Sequence, residues 1–351
     1  MKSLLVRLSI FLVVTLLIAS CGPSPEQIAT MTASAWTPTP KPTATPLPPT
    51  VTPSPTPVPY DLTVTIVDEA GAPIAGASIS LPESGKSEAM VADATGKYSW
   101  TNLPGAGVTL NVTAQGYLPA QQTATLERGP SDVSVAMKRD PYGLLPSMAC
   151  APGENLLYLQ DFQSGTATGW SNLENQAQGW TIEEHPGETG NNVAIATSTE
   201  RISSSLTTLA LPENAVWRLN FRASGPRSVV LGWFFQADTR YMVYFGPSSS
   251  GVQRPPSDFQ VSAGRTLMME AWHFVEISTY QGHTEVWVDG ANLIKFTDPN
   301  PLTQGTIDLV MPWWEGEDHN VIGYFDNITV CELSAPFTSI PAPVTMPVTT
   351  P

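Results

Sequence analysis

The chain has 351 residues, of which 34 are proline and 13% are charged, and this composition excludes a coiled coil or a generic helical enzyme. Its 16 Lys and Arg residues against 31 Asp and Glu residues give a net charge of −15, which excludes nucleic acid as a partner and disfavours anionic lipid head groups. With 4 His and 3 Cys residues there is little material for a zinc site or a cysteine nucleophile, so the composition favours exported β-modules.

Residues 1–21 have the pattern of a secretory signal, with a basic start, an apolar run over residues 8–18 and small residues after it. The end of this segment, Ile18-Ala19-Ser20-Cys21, resembles a bacterial lipobox, which implies cleavage before Cys21 and lipid attachment to its sulfur. The alternatives are an ordinary signal peptide and an uncleaved anchor over residues 4–21. In each case we predict an extracytoplasmic location, and acylated Cys21 makes the bilayer of the cell membrane or outer membrane a partner.

If Cys21 carries lipid, Cys150 and Cys331 remain in an oxidising compartment, where an even count indicates a disulfide. They stand at the start and end of the larger domain, where the first and last strands of a β-sandwich often lie side by side. A bridge closing about 180 residues would contribute about 5 kcal/mol if loop entropy were the only term. The alternative is two separate thiols.

Two segments rich in proline lie outside the predicted domains. Residues 22–59 form a Pro/Thr-rich stalk, and its stretch 37–59 has ten prolines and seven threonines in 23 residues. Proline fixes φ and removes amide donors, so we expect a disordered, extended chain of about 3.1 Å per residue. The stalk is either O-glycosylated on its threonines or a passive spacer, and the two are compatible. Residues 334–351 repeat the composition and are predicted to be a disordered tail or the stub of a further linker.

Residues 60–139 predict a small domain of seven short strands about ten residues apart. Four motifs occur in order: Gly71-Ala72-Pro73-Ile74-Ala75-Gly76-Ala77, Asp93-Ala94-Thr95-Gly96-Lys97-Tyr98, Leu103-Pro104-Gly105 and Gly116-Tyr117. They resemble the carboxypeptidase regulatory-like, transthyretin-like domain. That resemblance implies no catalytic residue and a role as a rigid spacer or an interaction module. Tyr98 and Trp100 share one strand face, so we expect at least one of them in the core.

After a linker over residues 140–150, residues 151–333 predict a second all-β domain. Alternating runs recur without a competing helical period, and an Asp-Gly turn after Val288 indicates a hairpin. Four short motifs follow in order: Asp161-Phe162, Gly169-Trp170, Val288-Asp289-Gly290 and Phe325-Asp326-Asn327. They resemble the concanavalin A-like lectin and glucanase superfamily, including laminin-G-like domains. The predicted fold class is therefore all-β, a small seven-stranded transthyretin-like sandwich followed by a larger jelly-roll sandwich.

No catalytic motif is present. A glucanase of this superfamily needs paired carboxylates on one strand face, written Glu-x-Asp-x-Glu, and that pattern is absent. Glu183 and Glu184 are adjacent and would point to opposite faces of a strand, and the acidic stretch 315–319 flanks no strand pair. The histidines show neither triad spacing nor a zinc motif. We therefore predict a protein that is not an enzyme.

Tryptophans indicate where a ligand would bind. Trp217, Trp233 and Trp287 lie within predicted strands and are expected in the core. Trp313 and Trp314 are adjacent at a strand end, so at least one should be near the surface. The predicted ligand-binding residues are Trp313, Trp314, Glu315, Asp318 and His319. Packing of this loop against the sandwich edge is the alternative.

Many sandwiches of the resembled superfamily hold a structural calcium near the first and last strands. Asp161 and Asp326 match that position, so the resemblance implies calcium there and no other cofactor. The alternative is that Asp326 caps a turn or faces solvent.

The combined prediction is a lipid-anchored bacterial surface protein whose stalk carries two β-sandwiches, the second binding carbohydrate or another surface polymer without catalysis. The alternatives are a glycan hydrolase or lyase with its site in the second domain, and a structural envelope protein.

Overall fold

The computed structural model describes residues 58–197, 200–224, 229–237, 239–312 and 322–341, all within one compact unit over residues 57–351. Strands dominate this part of the chain, and its single α-helix, α1 (Pro146–Ala149), has four residues. No helix in these ranges is long and apolar enough to cross a membrane. The predicted all-β class with two sandwiches is confirmed.

The first sandwich has seven strands in two sheets, as predicted. The strands are β1 (Tyr60–Asp68), β2 (Ser78–Leu81), β3 (Lys86–Val91), β4 (Lys97–Leu103), β5 (Gly107–Thr113), β6 (Ala120–Thr125) and β7 (Gly129–Met137). A three-stranded sheet has the order β4-β1-β7, in which β1 and β7 run parallel, and a four-stranded sheet has the order β3-β2-β5-β6. A 3-10 turn at Pro82–Ser84 connects β2 to β3.

Alternation explains the core of this sandwich. Leu62, Val64 and Ile66 are at most 1% exposed and lie on one face of β1, because successive side chains of a strand point to opposite faces. Trp100 is buried, and Tyr98 on the same face contacts it edge-on with 4.7 Å between ring centroids. The expectation that at least one of these aromatics packs in the core is confirmed.

The turn before β4 explains why the motif over residues 93–98 contains an aspartate and a glycine. The Asp93 carboxylate accepts hydrogen bonds from the backbone N–H groups of Thr95 and Lys97, and these bonds lower its pKa. Gly96 has φ of +70°, and a Cβ there would lie 2.5 Å from the Ile66 carbonyl oxygen. Only glycine fits both the left-handed conformation and the close approach to β1.

The second sandwich contains the remaining fourteen strands of the described residues. They are β8 (Asn155–Gln160), β9 (Trp180–Glu184), β10 (Asn192–Thr197), β11 (Ile202–Ser205), β12 (Ala215–Ser224), β13 (Val229–Gln236), β14 (Thr239–Phe245), β15 (Gly251–Gln253), β16 (Gln260–Ser262), β17 (His273–Tyr280), β18 (His283–Val288), β19 (Ala291–Thr297), β20 (Thr306–Met311) and β21 (Ile322–Glu332). One sheet of eight strands has the order β19-β18-β17-β12-β21-β10-β9, with β8 also paired to β21. The other, of six strands, has the order β11-β20-β13-β14-β15-β16.

The core of the second sandwich lies between these sheets and holds Trp180, Trp217 and Trp233, each at most 1% exposed. The prediction that Trp287 is also in the core is wrong. In β18 the buried residues Val286 and Val288 point inward, so Trp287 lies on the outer face of the sheet. Phe337 covers it there, with 6.1 Å between ring centroids.

Part of the segment predicted as a disordered tail has defined contacts. Residues 334–341 lie against the outer face of the eight-stranded sheet, where Phe337 packs on Trp287 and the Ile340 N–H donates to Glu276 Oε1 at 3.1 Å. An apolar ring and buried carboxylate oxygens give this stretch contacts that its composition alone does not predict.

Candidate functional site

The outer surface of the six-stranded sheet is built from alternate residues of its strands. Ile307 and Leu309 of β20 and Val243 of β14 point into the core, so their neighbours point outward. The strand register places these outward residues in rows across the sheet. We call this surface the polar face; its central residues are Ser203, Ser205, Val230, Gly232, Phe235, Arg240, Met242, Tyr244, Gly251, Gln253, Asp308 and Val310.

A buried ion pair lies at the centre of the polar face. Arg240 Nη1 donates a hydrogen bond to Asp308 Oδ2, and Asp308 is 1% exposed. Its second oxygen, Oδ1, is buried and has no hydrogen-bond partner among the described residues. Burial raises the pKa of Asp308 to about 6, while the charges of Arg240 and Arg201 lower it. A buried carboxylate oxygen with unused acceptor capacity is costly.

The position of this carboxylate depends on a glycine. Gly232 pairs with Asp308 in the neighbouring strand, and a Cβ on Gly232 would lie 1.7 Å from Asp308 Oδ1. The carboxylate therefore lies on the backbone of Gly232, where any other residue would displace it. The Arg240 guanidinium also makes a cation–π contact, since it lies 4.7 Å from the centre of the Phe235 ring.

A second glycine on the polar face makes room for an aromatic ring. A Cβ on Gly251 would lie 2.5 Å from the Tyr244 hydroxyl oxygen and 2.8 Å from its Cζ. The half-buried Tyr244 ring therefore extends across β15 over Gly251. In the strand register, Tyr244 lies two strands away from Asp308 across the sheet and two residues further along the strand direction. Ordinary strand spacing and rise then put the backbones of the two residues about 12 Å apart. A half-buried aromatic ring and a buried ion pair thus lie on the same face of the sheet.

The tryptophan loop predicted to bind a ligand lies outside the described residues. This applies to Trp313, Trp314, Glu315, Asp318 and His319, which fall within the range 313–321 that follows β20. Their role stays a prediction, and so does lipid attachment at Cys21, which also lies outside the described residues.

The two carboxylates predicted to bind calcium lie near one another and are buried. Asp326 in β21 is 1% exposed, and Asp161, which directly follows β8, is 4% exposed. Burial raises the pKa of Asp326 well above 3.8, and the charges of Asp161 and Glu188 raise it further. Asp326 therefore does not face solvent, and it shares its surroundings with two other carboxylates.

Existing hydrogen bonds use part of the capacity of this pair. Asp161 Oδ2 accepts from the Gln115 side-chain amide at 2.5 Å and from the Leu144 N–H at 2.9 Å, so it connects the two sandwiches. Asp326 Oδ1 accepts from the Asn327 N–H at 2.7 Å. Burial is also the main cause that raises the pKa of Asp161.

Within the described ranges, the one group of three acidic, His or Cys ligand atoms that converge is that of Cys150, Glu154 and Cys331, of which the two cysteines form a disulfide. A calcium ion at Asp161 and Asp326 would therefore draw its remaining ligands from amide and carbonyl oxygens, which suit this hard cation. Calcium at these two carboxylates stays a prediction.

Cys150 and Cys331 form a disulfide with a Cα–Cα distance of 6.0 Å, which confirms the predicted pairing. The bond connects the residue after α1 to β21, where the Cys331 side chain is fully buried beside Val216 and Leu333. It fixes the start of the second sandwich to its final strand.

The candidate acids from the sequence do not form a catalytic pair. Glu183 and Glu184 are exposed in β9, and Glu184 Oε2 accepts the Gly190 N–H at 2.9 Å. The residues that sequence reasoning missed are Arg240, Tyr244 and Asp308. Their sequence signal is Gly232, a glycine in the middle of an apolar strand, which often marks a close approach of another group.

Comparison with known proteins gives one family match and a set of similar folds. The model of the carboxypeptidase regulatory-like domain matches residues 61–138, which confirms the resemblance of the first sandwich. No curated protein matches the chain.

Three solved structures illustrate the similar folds. A carbohydrate binding module, CBM66 from Bacillus subtilis, is 11% identical, with a TM-score of 0.36 over 46% of this chain and 95% of that chain. Domain 4 of an extracellular arabinanase from Geobacillus stearothermophilus, in complex with arabinotriose, is 15% identical, with a TM-score of 0.38 over 51% of this chain and 93% of that chain. A β-glucanase from Bacillus licheniformis is 10% identical, with a TM-score of 0.37 over 52% of this chain and 99% of that chain.

Proposed function

We propose that the second sandwich binds carbohydrate or another hydroxyl-rich surface polymer, without catalysis, on the polar face. The observation that carries the proposal is the buried Asp308–Arg240 pair with its unsatisfied Oδ1, on the same face as the Tyr244 ring. Sugar hydroxyls donate to carboxylates and accept from guanidinium groups, and sugar C–H surfaces pack on aromatic rings. The separation of about 12 Å between the backbone positions of Tyr244 and Asp308 suits a short oligosaccharide rather than one small molecule.

The charged groups around Asp308 favour binding over hydrolysis. Its described ionic neighbours are the cations Arg240 and Arg201, whereas a glycosidase needs a second carboxylate about 5–9.5 Å away. A carboxylate held by an arginine is an acceptor for hydroxyl donors. Hydrolysis or lysis stays the alternative, and a structural envelope role is the outcome if no polymer binds.

We expect Tyr244→Ala and Asp308→Asn each to weaken retention on a polysaccharide array by tenfold or more, which corresponds to about 1.4 kcal/mol. The first change removes the ring, and the second removes the charge that orients Arg240. Tyr280→Ala is the matched control, because Tyr280 is also half-buried but belongs to the eight-stranded sheet. Array retention measured with the full chain tests this.

Four outcomes would contradict the proposal. Unchanged retention in both variants would place binding elsewhere, and loss in Tyr280→Ala would show a general effect on folding. Release of reducing ends would instead support the hydrolase alternative. Absence of retention on every polysaccharide would favour the structural role.

We further propose that the chain is anchored at a membrane through lipid on Cys21, with residues 22–59 as a spacer. The support is the signal pattern of residues 1–21 and the proline content of the stalk. Cys21→Ser is expected to move the protein from the detergent phase to the aqueous phase in a phase-partition experiment. Equal partition of variant and parent would exclude a lipid anchor at this residue.

A structural calcium between Asp161 and Asp326 is a second proposal for the same sandwich. The two carboxylates and nearby amide oxygens would hold the ion, and its charge would offset the repulsion among the buried acids. Calcium would stabilise the contact of β8 with β21 and would take no part in a reaction.

We expect Asp326→Asn to raise the melting temperature in EDTA at pH 7 by a few degrees. For a chain of this size, each kcal/mol gained in the free energy of unfolding raises the melting temperature by about 2–4 °C. The raised pKa means that the protonated form of Asp326 stabilises the fold at low pH, and this stability is lost as pH rises through the folded-state pKa. The gain should therefore be small near pH 3.8 and larger at neutral pH. Differential scanning calorimetry measures it, with exposed Asp132→Asn as the control.

Calcium should raise the melting temperature of the parent protein and leave that of Asp326→Asn unchanged. Equal calcium stabilisation of both proteins would exclude this carboxylate as a ligand. A lower melting temperature for Asp326→Asn in EDTA at neutral pH would contradict the predicted cost of ionisation.

A further inference from the structure

A cleft of about 460 Å³ lies where the two sandwiches meet, apart from the polar face. The first sandwich contributes Ser78, Gln115 and Tyr117, the connecting segment contributes Asp140, and the second sandwich contributes Asp161 and Ser164. This volume lies within the range of about 300–1,000 Å³ that is usual for pockets holding small molecules, and such pockets often occur between domains.

The cleft is preformed because the connecting segment is fastened to the first sandwich. The Arg139 guanidinium donates to the carbonyl oxygens of Gly116 and Gly143, the second at 2.6 Å. A Cβ on Gly143 would lie 2.8 Å from the Gly116 Cα, so the two backbones are in direct contact. The segment predicted as a linker is therefore packed against the domain that precedes it.

The same segment is fastened to the second sandwich. Leu144 is fully buried and its N–H donates to Asp161, which also accepts from Gln115 of the first sandwich. Cys150 ends the segment in its disulfide with Cys331. A site held from both sides in this way loses little conformational entropy on binding, which favours affinity for a small ligand.

The lining has the chemistry of a sugar site. Hydroxyl, amide and carboxylate groups supply mostly hydrogen-bond acceptors, and Tyr117 supplies one aromatic ring. Asp140 and Asp161 place two carboxylates at the cleft, and the Arg139 guanidinium, which lies 6.0 Å from the centre of the Tyr117 ring, is already bonded to the carbonyl oxygens of Gly116 and Gly143. Anionic ligands are therefore disfavoured, and a purely apolar ligand would leave these groups without partners.

We propose that this cleft binds a neutral sugar unit, whose hydroxyls bond to the Asp140 carboxylate and the Ser164 hydroxyl and whose C–H surface packs on Tyr117. The proposal stands independently of binding at the polar face, because the two sites share no residue. A chain with both sites would hold a polymer at two points, and the second attachment would raise the apparent affinity without new contacts at the first.

Saturation-transfer-difference NMR on the full chain tests this, with the methyl glycosides of glucose, galactose, mannose, xylose and arabinose as probes and glucuronic acid as the anionic comparison. We expect a signal from at least one neutral glycoside and none from glucuronic acid. The signal should persist in Tyr244→Ala, where the polar face is impaired, and it should be lost when Tyr117→Ala or Ser164→Trp is added to that variant. Ser164 is exposed, so the tryptophan can fill the cleft without disturbing a core.

Each other result would overturn the cleft as a sugar site. These results are no signal from any neutral probe, a signal that persists when Ser164→Trp is added to Tyr244→Ala, and an equal signal from glucuronic acid. Loss of the signal in Tyr244→Ala alone would assign it to the polar face, which would refute the cleft and support the proposed function. If Tyr117→Ala fails to fold by circular dichroism, Ser164→Trp still decides between these outcomes.

Discussion

Replacing Cys150 and Cys331 together with alanine is expected to lower the free energy of unfolding by about 5 kcal/mol, the largest effect of any change discussed. The bond closes a loop with a sequence separation of 181, and a crosslink over such a distance removes much of the entropy of the unfolded chain. Alanine is the suitable replacement because Cys331 is fully buried and a serine hydroxyl would need a partner there.

Guanidinium denaturation followed by tryptophan fluorescence measures this loss as a shift in midpoint. Reduction of the parent protein should give a similar shift, since it removes the same crosslink, and Cys21→Ala should leave the midpoint unchanged. A difference below about 1 kcal/mol between oxidised and reduced protein would show that the crosslink does not restrict the unfolded chain as loop entropy requires.

Local patterns predicted the long central strands because those strands carry their own signal. In β1 the alternation of Leu62, Val64 and Ile66 with polar residues already specifies one buried face. The shortest strands have no such signal: β15 and β16 have three residues each, and β11 reads Ile-Ser-Ser-Ser. They lie at or near a sheet edge and exist because a neighbouring strand pairs with them, which no local pattern reports.

The polar face was not predictable for a different reason. Arg240 and Asp308 are 68 residues apart, and they meet only because β13 lies between β14 and β20 in the sheet. Strand order depends on pairing between distant segments, so sequence reasoning could place each residue on a strand face but could not join them. Gly232 is the one sign of the site in the local sequence, because a glycine within a strand often marks the close approach of another group. The sequence does not tell which side chain lies over it.

Asp161 and Asp326 show what a family resemblance adds and what it leaves open. The motifs placed both residues near the first and last strands, and the structure puts both carboxylates in buried, electrostatically linked positions. No motif indicated that Asp161 would accept hydrogen bonds from Gln115 and Leu144. That contact depends on how the two sandwiches pack against each other. The family resemblance of each sandwich gives no information about the contact between them.

The second large effect concerns a buried ionic network on the outer face of the eight-stranded sheet. Arg218 is 1% exposed, and its guanidinium donates to Glu154 Oε2 at 2.7 Å and Oε1 at 2.9 Å and to Glu276 Oε1 at 2.9 Å. Phe337 lies 5.9 Å from the guanidinium and helps to exclude water. Glu276 is fully buried and also accepts the N–H of Ile340.

We expect Arg218→Met to cost about 3–5 kcal/mol, because it leaves the buried carboxylates of Glu154 and Glu276 charged without their cation. Arg218→Met combined with Glu276→Gln should recover the part of that loss that comes from Glu276, since the amide at residue 276 carries no charge and can still bond to residues 339 and 340. Arg265→Met is the control: Arg265 is 45% exposed and 4.0 Å from Asp289, so its loss should change stability by about 0.5 kcal/mol or less.

Urea denaturation of the four proteins gives these free energies directly. If the single change costs about as much as the double change, the loss would come from packing of the arginine side chain and not from an uncompensated charge. Recovery in the double variant would instead show that Glu276 needs a cation for as long as it is ionised. Because the chain from Ser339 to Ile340 covers that carboxylate, the cost of Arg218→Met would then fall in a chain truncated after Leu333, where water can reach Glu276.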